Sequence, residues 1–323
     1  QTGFGDSPTY AAGDETFLSK LGMELKATND DVIITGTPES TGLDANQLAV
    51  GSNTFDVIPG MFDIESMLGK KVDLWTNSDG DVVLAEVVSG TTVAVKSIEY
   101  NAGDAVYTAT LPDDSTVDYT IDTGAAALLN LQKATALAAL TAVNAVGEDK
   151  VQISLVVNDD SEIQFINAVK FSQVKQLPDD PSENTVHKDI KLFAGFYIKY
   201  GDTAAAKVVI VKDGETVDWK ALKADDVLFI AGNSDKDNMD TSYIYIKATS
   251  KTVAGTLQSA KPSKTAATSI KVEGTSYDAS YKSNFAADIL NVDGMLGEKV
   301  TVALDPAGNA YTVALVDGTA SND

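Results

Sequence analysis

Met67-Leu68-Gly69-Lys70-Lys71-Val72 returns far along the chain as Met295-Leu296-Gly297-Glu298-Lys299-Val300. The likeness runs on through Asn77-Ser78-Asp79-Gly80 and Asp305-Pro306-Ala307-Gly308, as far as Gly90 and Gly318. A chain that repeats itself at such a distance is assembled from copies of one small unit. The second copy shows what the unit is. Asp305 opens a turn, Pro306 presets φ at the next position, and Gly308 supplies the left-handed residue that a type I turn with a G1 bulge requires. Val300, Val302 and Leu304 alternate with Thr301 and Ala303, and Val72 and Leu74 repeat the pattern, which is the period of a half-buried strand. The unit is built on a β-hairpin.

The segments ahead of the hairpins extend the match. Asp31-Val32-Ile33-Ile34-Thr35-Gly36-Thr37 pairs with Ser269-Ile270-Lys271-Val272-Glu273-Gly274-Thr275 as a shared first strand. Thr54-Phe55-Asp56-Val57 pairs with Ser276-Tyr277-Asp278-Ala279 as a short aromatic-Asp strand. A helical turn ending in Leu-Gly then leads into the hairpin. Two degenerate copies lie between, one over Val117–Asp122 and Val151–Val169 and one over Val208–Val211 and Val227–Ile246. The expected fold is mainly β: tandem small sandwich- or barrel-like modules on a repeated strand–short helix–hairpin unit, with a few short helices. Residues 1–28 read as linker with a short opening helix over Asp14–Gly22. The modules follow as 29–95, 96–176, 177–258 and 259–323, the last repeating the first. Leu177–Asn184 and Ser259–Lys264 read as junctions. The exception to the β pattern is Ala125–Val146, whose Ala and Leu content predicts a helix covering a sheet face of its own module.

Composition narrows the partners. The formal charge is −23, from 24 basic and 47 acidic residues, and every basic residue is Lys. An acidic surface without Arg repels nucleic acid and lacks the bidentate clamp for phosphate. No cysteine is present, so thiol nucleophiles and thiolate metal sites are excluded. No apolar run approaches the ~18 residues of a membrane-spanning helix.

Catalytic constellations are not evident. His187 is the only histidine, and no partner to orient it can be read from the sequence. The carboxylates sit mostly at hairpin tips, where Asp serves Asx-turns, so a glycosidase pair is not indicated. Calcium has a better candidate in Asn233, Asp235, Asp237 and Asp240, which place oxygen ligands at mostly alternate positions. Asn238 stands where an EF-hand needs Gly and Ile244 where it needs Glu, so any site there is a looser acidic tip. Trp75 and Trp219 are expected to pack between modules rather than to stack on sugars.

Phe4-Gly5-Asp6-Ser7-Pro8, continuing to Glu15-Thr16-Phe17-Leu18-Ser19-Lys20-Leu21-Gly22, resembles the segment that follows the third surface-layer homology repeat in Gram-positive surface-layer proteins. The recurring strand, aromatic-Asp, Leu-Gly-Lys and Asx-Gly hairpin unit resembles the β-modules downstream of those anchors. The resemblance implies a non-enzymatic, extracellular chain that associates with identical chains into a lattice, with calcium as an assisting ion. Attachment to the cell envelope would run through anchor repeats that these residues do not include. The competing reading is an adhesin or carbohydrate-binding module array without a lattice.

Overall fold

A computed structural model describes residues 24–25, 30–38, 43–88, 92–185, 189–199, 208–232, 243–281 and 288–316. The opening helix expected over Asp14–Gly22 lies outside them. The fold is mainly β, in five separate sheets, with one α-helix among the described residues.

Barrel 1 contains β1 (Glu24–Leu25), β2 (Val32–Gly36), β3 (Gln47–Val50), β4 (Asn53–Asp56), β5 (Lys71–Thr76) and β6 (Val82–Val87). Strands β2, β3 and β4 form a meander; β5 returns beside β2, and β6 pairs β5. A parallel bridge, Val57 to Val82, joins the end of the meander to the start of β6. The product is a five-stranded, partly open Greek-key barrel of the OB type, to which β1 adds at β5. Ile34, Leu48, Val72, Leu74 and Val82 fill it.

The same connectivity recurs three times. Barrel 2 comprises β7 (Thr92–Val95), β8 (Ser97–Asn101), β9 (Val106–Thr110), β10 (Thr116–Leu129), β11 (Gln132–Thr135), α1 (Ala136–Val143), β12 (Val151–Val157) and β13 (Glu162–Lys170). Barrel 3 comprises β14 (Gln173–Gln176), β15 (Ser182–Asn184), β16 (Asp189–Phe193), β17 (Phe196–Lys199), β18 (Val208–Lys212), β19 (Glu215–Thr216), β20 (Val227–Ala231) and β21 (Ile244–Thr249). Barrel 4 comprises β22 (Thr252–Ser263), β23 (Ala266–Val272), β24 (Thr275–Asp278), β25 (Lys299–Leu304) and β26 (Ala310–Leu315). Parallel contacts join third strand to fifth in barrel 3, where β18 pairs β21, and in barrel 4, where Ala279 bridges Ala310. One backbone clasp marks the crossing in three barrels. Gly69 N–H donates to Ile34 and Ile34 N–H to Lys70; Gly297, Leu257 and Glu298 repeat this, as do Asp225, Leu177 and Asp226.

That clasp corrects the sequence alignment of the copies. Gly255 faces Val300 and Thr256 faces Lys299, as Val32 faces Val72 and Ile33 faces Lys71. The counterpart of β2 is therefore β22, and Ser269–Thr275 corresponds to the stretch through β3. Both runs alternate and stop at Gly, so pattern alone could not distinguish adjacent strands. Two expected junctions are also structural. Leu177 is 1% exposed in the core of barrel 3, and Ser259–Ser263 continues β22 along β23.

The predicted helix over Ala125–Val146 is largely strand. Residues 125–129 extend β10, Asn130 and Leu131 turn at φ 50° and 67°, and β11 follows. L-residues at positive φ break a right-handed helix. Asn130 holds the turn by donating its N–H to Ala168 (2.9 Å) while its Oδ1 accepts the Lys170 N–H (2.8 Å). Only Ala136–Val143 is helical. Thr135 caps it by accepting the Ala138 N–H, and Ala136, Ala139, Leu140 and Val143 form its buried stripe.

The hairpin tips form as the turn chemistry predicts. Oδ1 of Asn77 accepts the N–H groups of Asp79 and Asp81; Oδ1 of Asn158 accepts those of Asp160 and Glu162; Oδ1 of Asp305 accepts those of Ala307 and Asn309. Gly80, Ser161 and Gly308 occupy the positive-φ slot. In barrels 1 and 2 the Asn amide also donates to an acid four residues on, Asp81 or Glu162. Barrel 4 reverses the pair, with Asn309 donating to Asp305.

The reversal leaves Asp305 carrying a buried charge, 2% exposed, and burial pushes its carboxyl above the ordinary range despite the Ser280 hydroxyl and Asn309 and Ala307 N–H donors. A carboxyl whose folded pKa is raised costs stability above that pKa, and the cost disappears as pH falls below its unfolded value. Asp305→Asn keeps the two backbone contacts that Asn77 and Asn158 already make. Its melting temperature is expected to equal or exceed the wild-type value at pH 7, with any gain shrinking toward pH 4, as thermal denaturation at the two pH values would measure.

The chain divides into two compact units. The first holds residues 1–93, 121–126 and 154–166, and the second holds 94–120, 127–153 and 167–323. Barrels join one another within the second unit. Leu131, Val169 and Phe171 from barrel 2 bury against Val174, Val227, Phe229, Ala231 and Tyr245 of barrel 3, with Tyr281, Ala303 and Tyr311 of barrel 4 packed alongside. Polar contacts reinforce the junction: Gln152 Nε2 to Tyr245 Oη (3.2 Å), Asn309 Nδ2 to Asp149 (3.3 Å) and Gln176 N–H to Tyr311 Oη (3.3 Å). Lys150 Nζ stands 4.3 Å from the Tyr281 ring centroid.

Candidate metal centre

One cluster of oxygen ligands stands out among the described residues. Asp30, Asp31 and Asp73 each bring a carboxylate oxygen within 4.8 Å of the others. The fold explains the meeting. Val32 lies opposite Val72, so the residues just ahead of β2 come beside the outward side of β5, where Asp73 projects between the inward Val72 and Leu74. Asp31, at φ 55°, donates its N–H to Asp73 Oδ1 at 2.8 Å. Lys71 Nζ approaches Asp31 Oδ2 at 3.3 Å and offsets part of the negative charge.

Crowding of like charges governs the electrostatics. The Asp30 carboxyl is raised, first by its hydrogen bond and Coulombic repulsion with Asp73 and then by slight burial and by Asp31, against the opposing pull of Lys71. A hard divalent cation relieves such repulsion, and carboxylate oxygens are the ligands that calcium prefers. Asp30 and Asp31 are exposed and Asp73 is half-buried, so the cluster is open to solvent.

The acidic cluster belongs to barrel 1 alone among the positions that the barrel alignment makes equivalent. In barrel 4 the residues corresponding to Asp30, Asp31 and Asp73 are Val253, Ala254 and Thr301. In barrel 3 the counterpart of Asp73 is Phe229, 2% exposed and buried against other barrels. One outer surface of the repeat thus serves barrel packing in one copy and gathers charge in another.

The ligands expected at Asn233, Asp235, Asp237 and Asp240 lie outside the described residues, as does His187. The cluster of Asp30, Asp31 and Asp73 escaped sequence reasoning because 42 residues separate Asp31 from Asp73. The only local signal was an Asp pair ahead of an alternating run. Among the described residues, neither tryptophan is exposed. Trp75 is 7% exposed, and Trp219 packs against the core of its own barrel rather than between modules. Tyr100 is exposed beside Tyr107, but their rings are inclined at 45°.

No family model matches the chain, and no curated protein matches it by sequence.

Proposed function

We propose that this chain is a structural segment of an extracellular surface array of the surface-layer kind, associating with identical chains, assisted by calcium and without catalytic activity. The observation that carries the reading is the apolar junction at which side chains from three copies of one barrel pack together, Phe171 of barrel 2 with Phe229 and Tyr245 of barrel 3 and Tyr281 and Tyr311 of barrel 4. A series of rigid, similar modules suits transmission of position and force, because each copy presents a fixed surface to its neighbours. The surface-layer resemblance of residues 4–22 and of the repeat supports the location, and the acidic charge supports a role for a divalent cation. Calcium at Asp30, Asp31 and Asp73 would neutralise repulsion between chains that each carry −23.

Assembly of the purified chain tests the reading. Sedimentation velocity and negative-stain microscopy are expected to show oligomers or sheets that grow with protein concentration and with calcium in the range of about 10⁻⁴–10⁻³ M, typical of extracellular sites. Asp73→Asn is expected to raise the calcium concentration required. A chain that remains monomeric at high concentration, with and without calcium, would rule the proposal out.

A further inference from the structure

The hairpin tip of barrel 4 differs from those of barrels 1 and 2 at a point where it meets another barrel. Asn77 and Asn158 open their tips with an amide and set an acid four residues on, Asp81 or Glu162. Barrel 4 opens with Asp305 and sets Asn309 there instead. Asn309 Nδ2 lies 3.3 Å from Asp305 Oδ2 and 3.3 Å from Asp149 Oδ2 of barrel 2, with one N–H for each carboxylate. An acid at 309, as the other two tips carry, would set like charge against Asp149. The reversal therefore makes the tip a bridge between barrels.

The same reversal moves the carboxylate to the deeper position. Asp305 is 2% exposed, whereas Asn77 and Asn158 are half-buried. Its Oδ2 accepts the Ser280 hydroxyl at 2.6 Å, and a hydroxyl can donate or accept, so Ser280 accommodates either form of the acid. Charged groups act on this place from each neighbouring barrel. Barrel 3 supplies Lys247 on β21, its amine lowered by burial, held up by Asp305 and lowered again by Lys251. Barrel 2 supplies Asp149 and Lys150, the latter over the Tyr281 ring. The Tyr281 hydroxyl is raised by burial and then by Asp149 and Asp305.

We infer that this tip is a proton-operated latch: uptake of a proton by Asp305 tightens the seating of barrel 4 on barrels 2 and 3, and its release loosens that seating. Barrels 1 and 2 leave the equivalent position half-buried, so the extra cover at Asp305 comes with its place at the junction. A carboxyl that seating buries holds its proton more firmly when seated than when free, and acid therefore favours the seated form. The penalty on the ionised form is absent below the ordinary carboxylate range and complete above the raised one. Asn309 is a positioning residue, since its amide keeps Asp149 and Asp305 apart and joins both. The latch works within one chain and does not depend on association between chains.

Amide hydrogen exchange in the full chain tests the latch, with thermal melts to establish that each variant folds. The Gln176 N–H of barrel 3 donates to Tyr311 Oη of barrel 4, so its protection, corrected for the intrinsic pH dependence of exchange, reports the seating. Wild-type protection is expected to rise from pH 7 to pH 4, and Asp305→Asn is expected to hold it high and level across that range. Asp305→Asn combined with Asn309→Asp recreates the tip of barrel 1, which keeps the hairpin's own hydrogen bonds but turns a carboxylate toward Asp149. Protection at pH 7 is then expected to fall about 10-fold or more, the effect of losing a hydrogen bond to a charged group. Adding Asp149→Asn is expected to recover it, because an amide again faces a carboxylate. A wild type whose protection matches Asp305→Asn at every pH overturns the proton link. A paired exchange that leaves protection unchanged, or a loss that Asp149→Asn does not recover, overturns the bridge itself.

Discussion

Phe171→Ala is expected to destabilise the second unit by about 3–5 kcal/mol and to split its unfolding into separate transitions. Phe171 is 4% exposed and belongs to the last turn out of barrel 2, but the rings it touches belong to barrel 3. Truncation removes a large apolar side chain and leaves a cavity between two barrels. Surrounding strands cannot collapse into that cavity easily, because β20 is already packed on both faces. The cores of Ile153 and Leu155 in barrel 2 and of Leu228 and Ile230 in barrel 3 do not depend on this ring, so each barrel retains its own interior. Scanning calorimetry should show one cooperative transition of the second unit giving way to at least two. A small loss with cooperativity intact would mean that Phe229, Tyr245 and the polar contacts hold the junction without it.

Asp226→Ala is expected to cost about 3–5 kcal/mol, the penalty for breaking a buried ion pair by removing one partner. The Asp226 side chain is 2% exposed and lies 2.7 Å from Lys212 Nζ, itself 16% exposed. Asp226 Oδ2 also accepts the Lys223 N–H at 2.8 Å, and Lys212 donates to the Ala221 carbonyl at 3.0 Å. One carboxylate therefore ties β18 to the helical turn that enters β20. Its removal strands the lysine charge and a backbone donor together. Lys212→Met combined with Asp226→Leu should recover part of the loss, since no charge is then left buried, while the Lys223 N–H remains unpaired. Urea denaturation of the two variants would measure both effects, and a double variant less stable than Asp226→Ala would contradict the account.

Local chemistry was legible in the residues themselves. The Asx residue and the closing Gly predicted hairpins at Asn77 and Asp305, because their hydrogen bonds close within four residues. Alternation in Lys71–Thr76 and Lys299–Leu304 revealed one buried face. The mainly β class and the recurrence of a single unit followed from these features. The Ala-rich stretch misled because propensity favours helix there, and it was overruled by a sheet that pairs β10 with β13 and β11.

Strand partners distant in the chain were another matter. The match of β2 to β22, the clustering of Asp30 and Asp31 with Asp73, and the burial of both faces of β20 all arise from pairings across tens of residues. The sequence by itself determined the hairpins, their turns and their repetition, since those depend on interactions within a few residues. Which copy buries its outer face and which gathers carboxylates there was decided only by the tertiary structure. Each outcome depends on what a distant segment places against an otherwise similar strand, and a strand's own alternation carries no record of that neighbour.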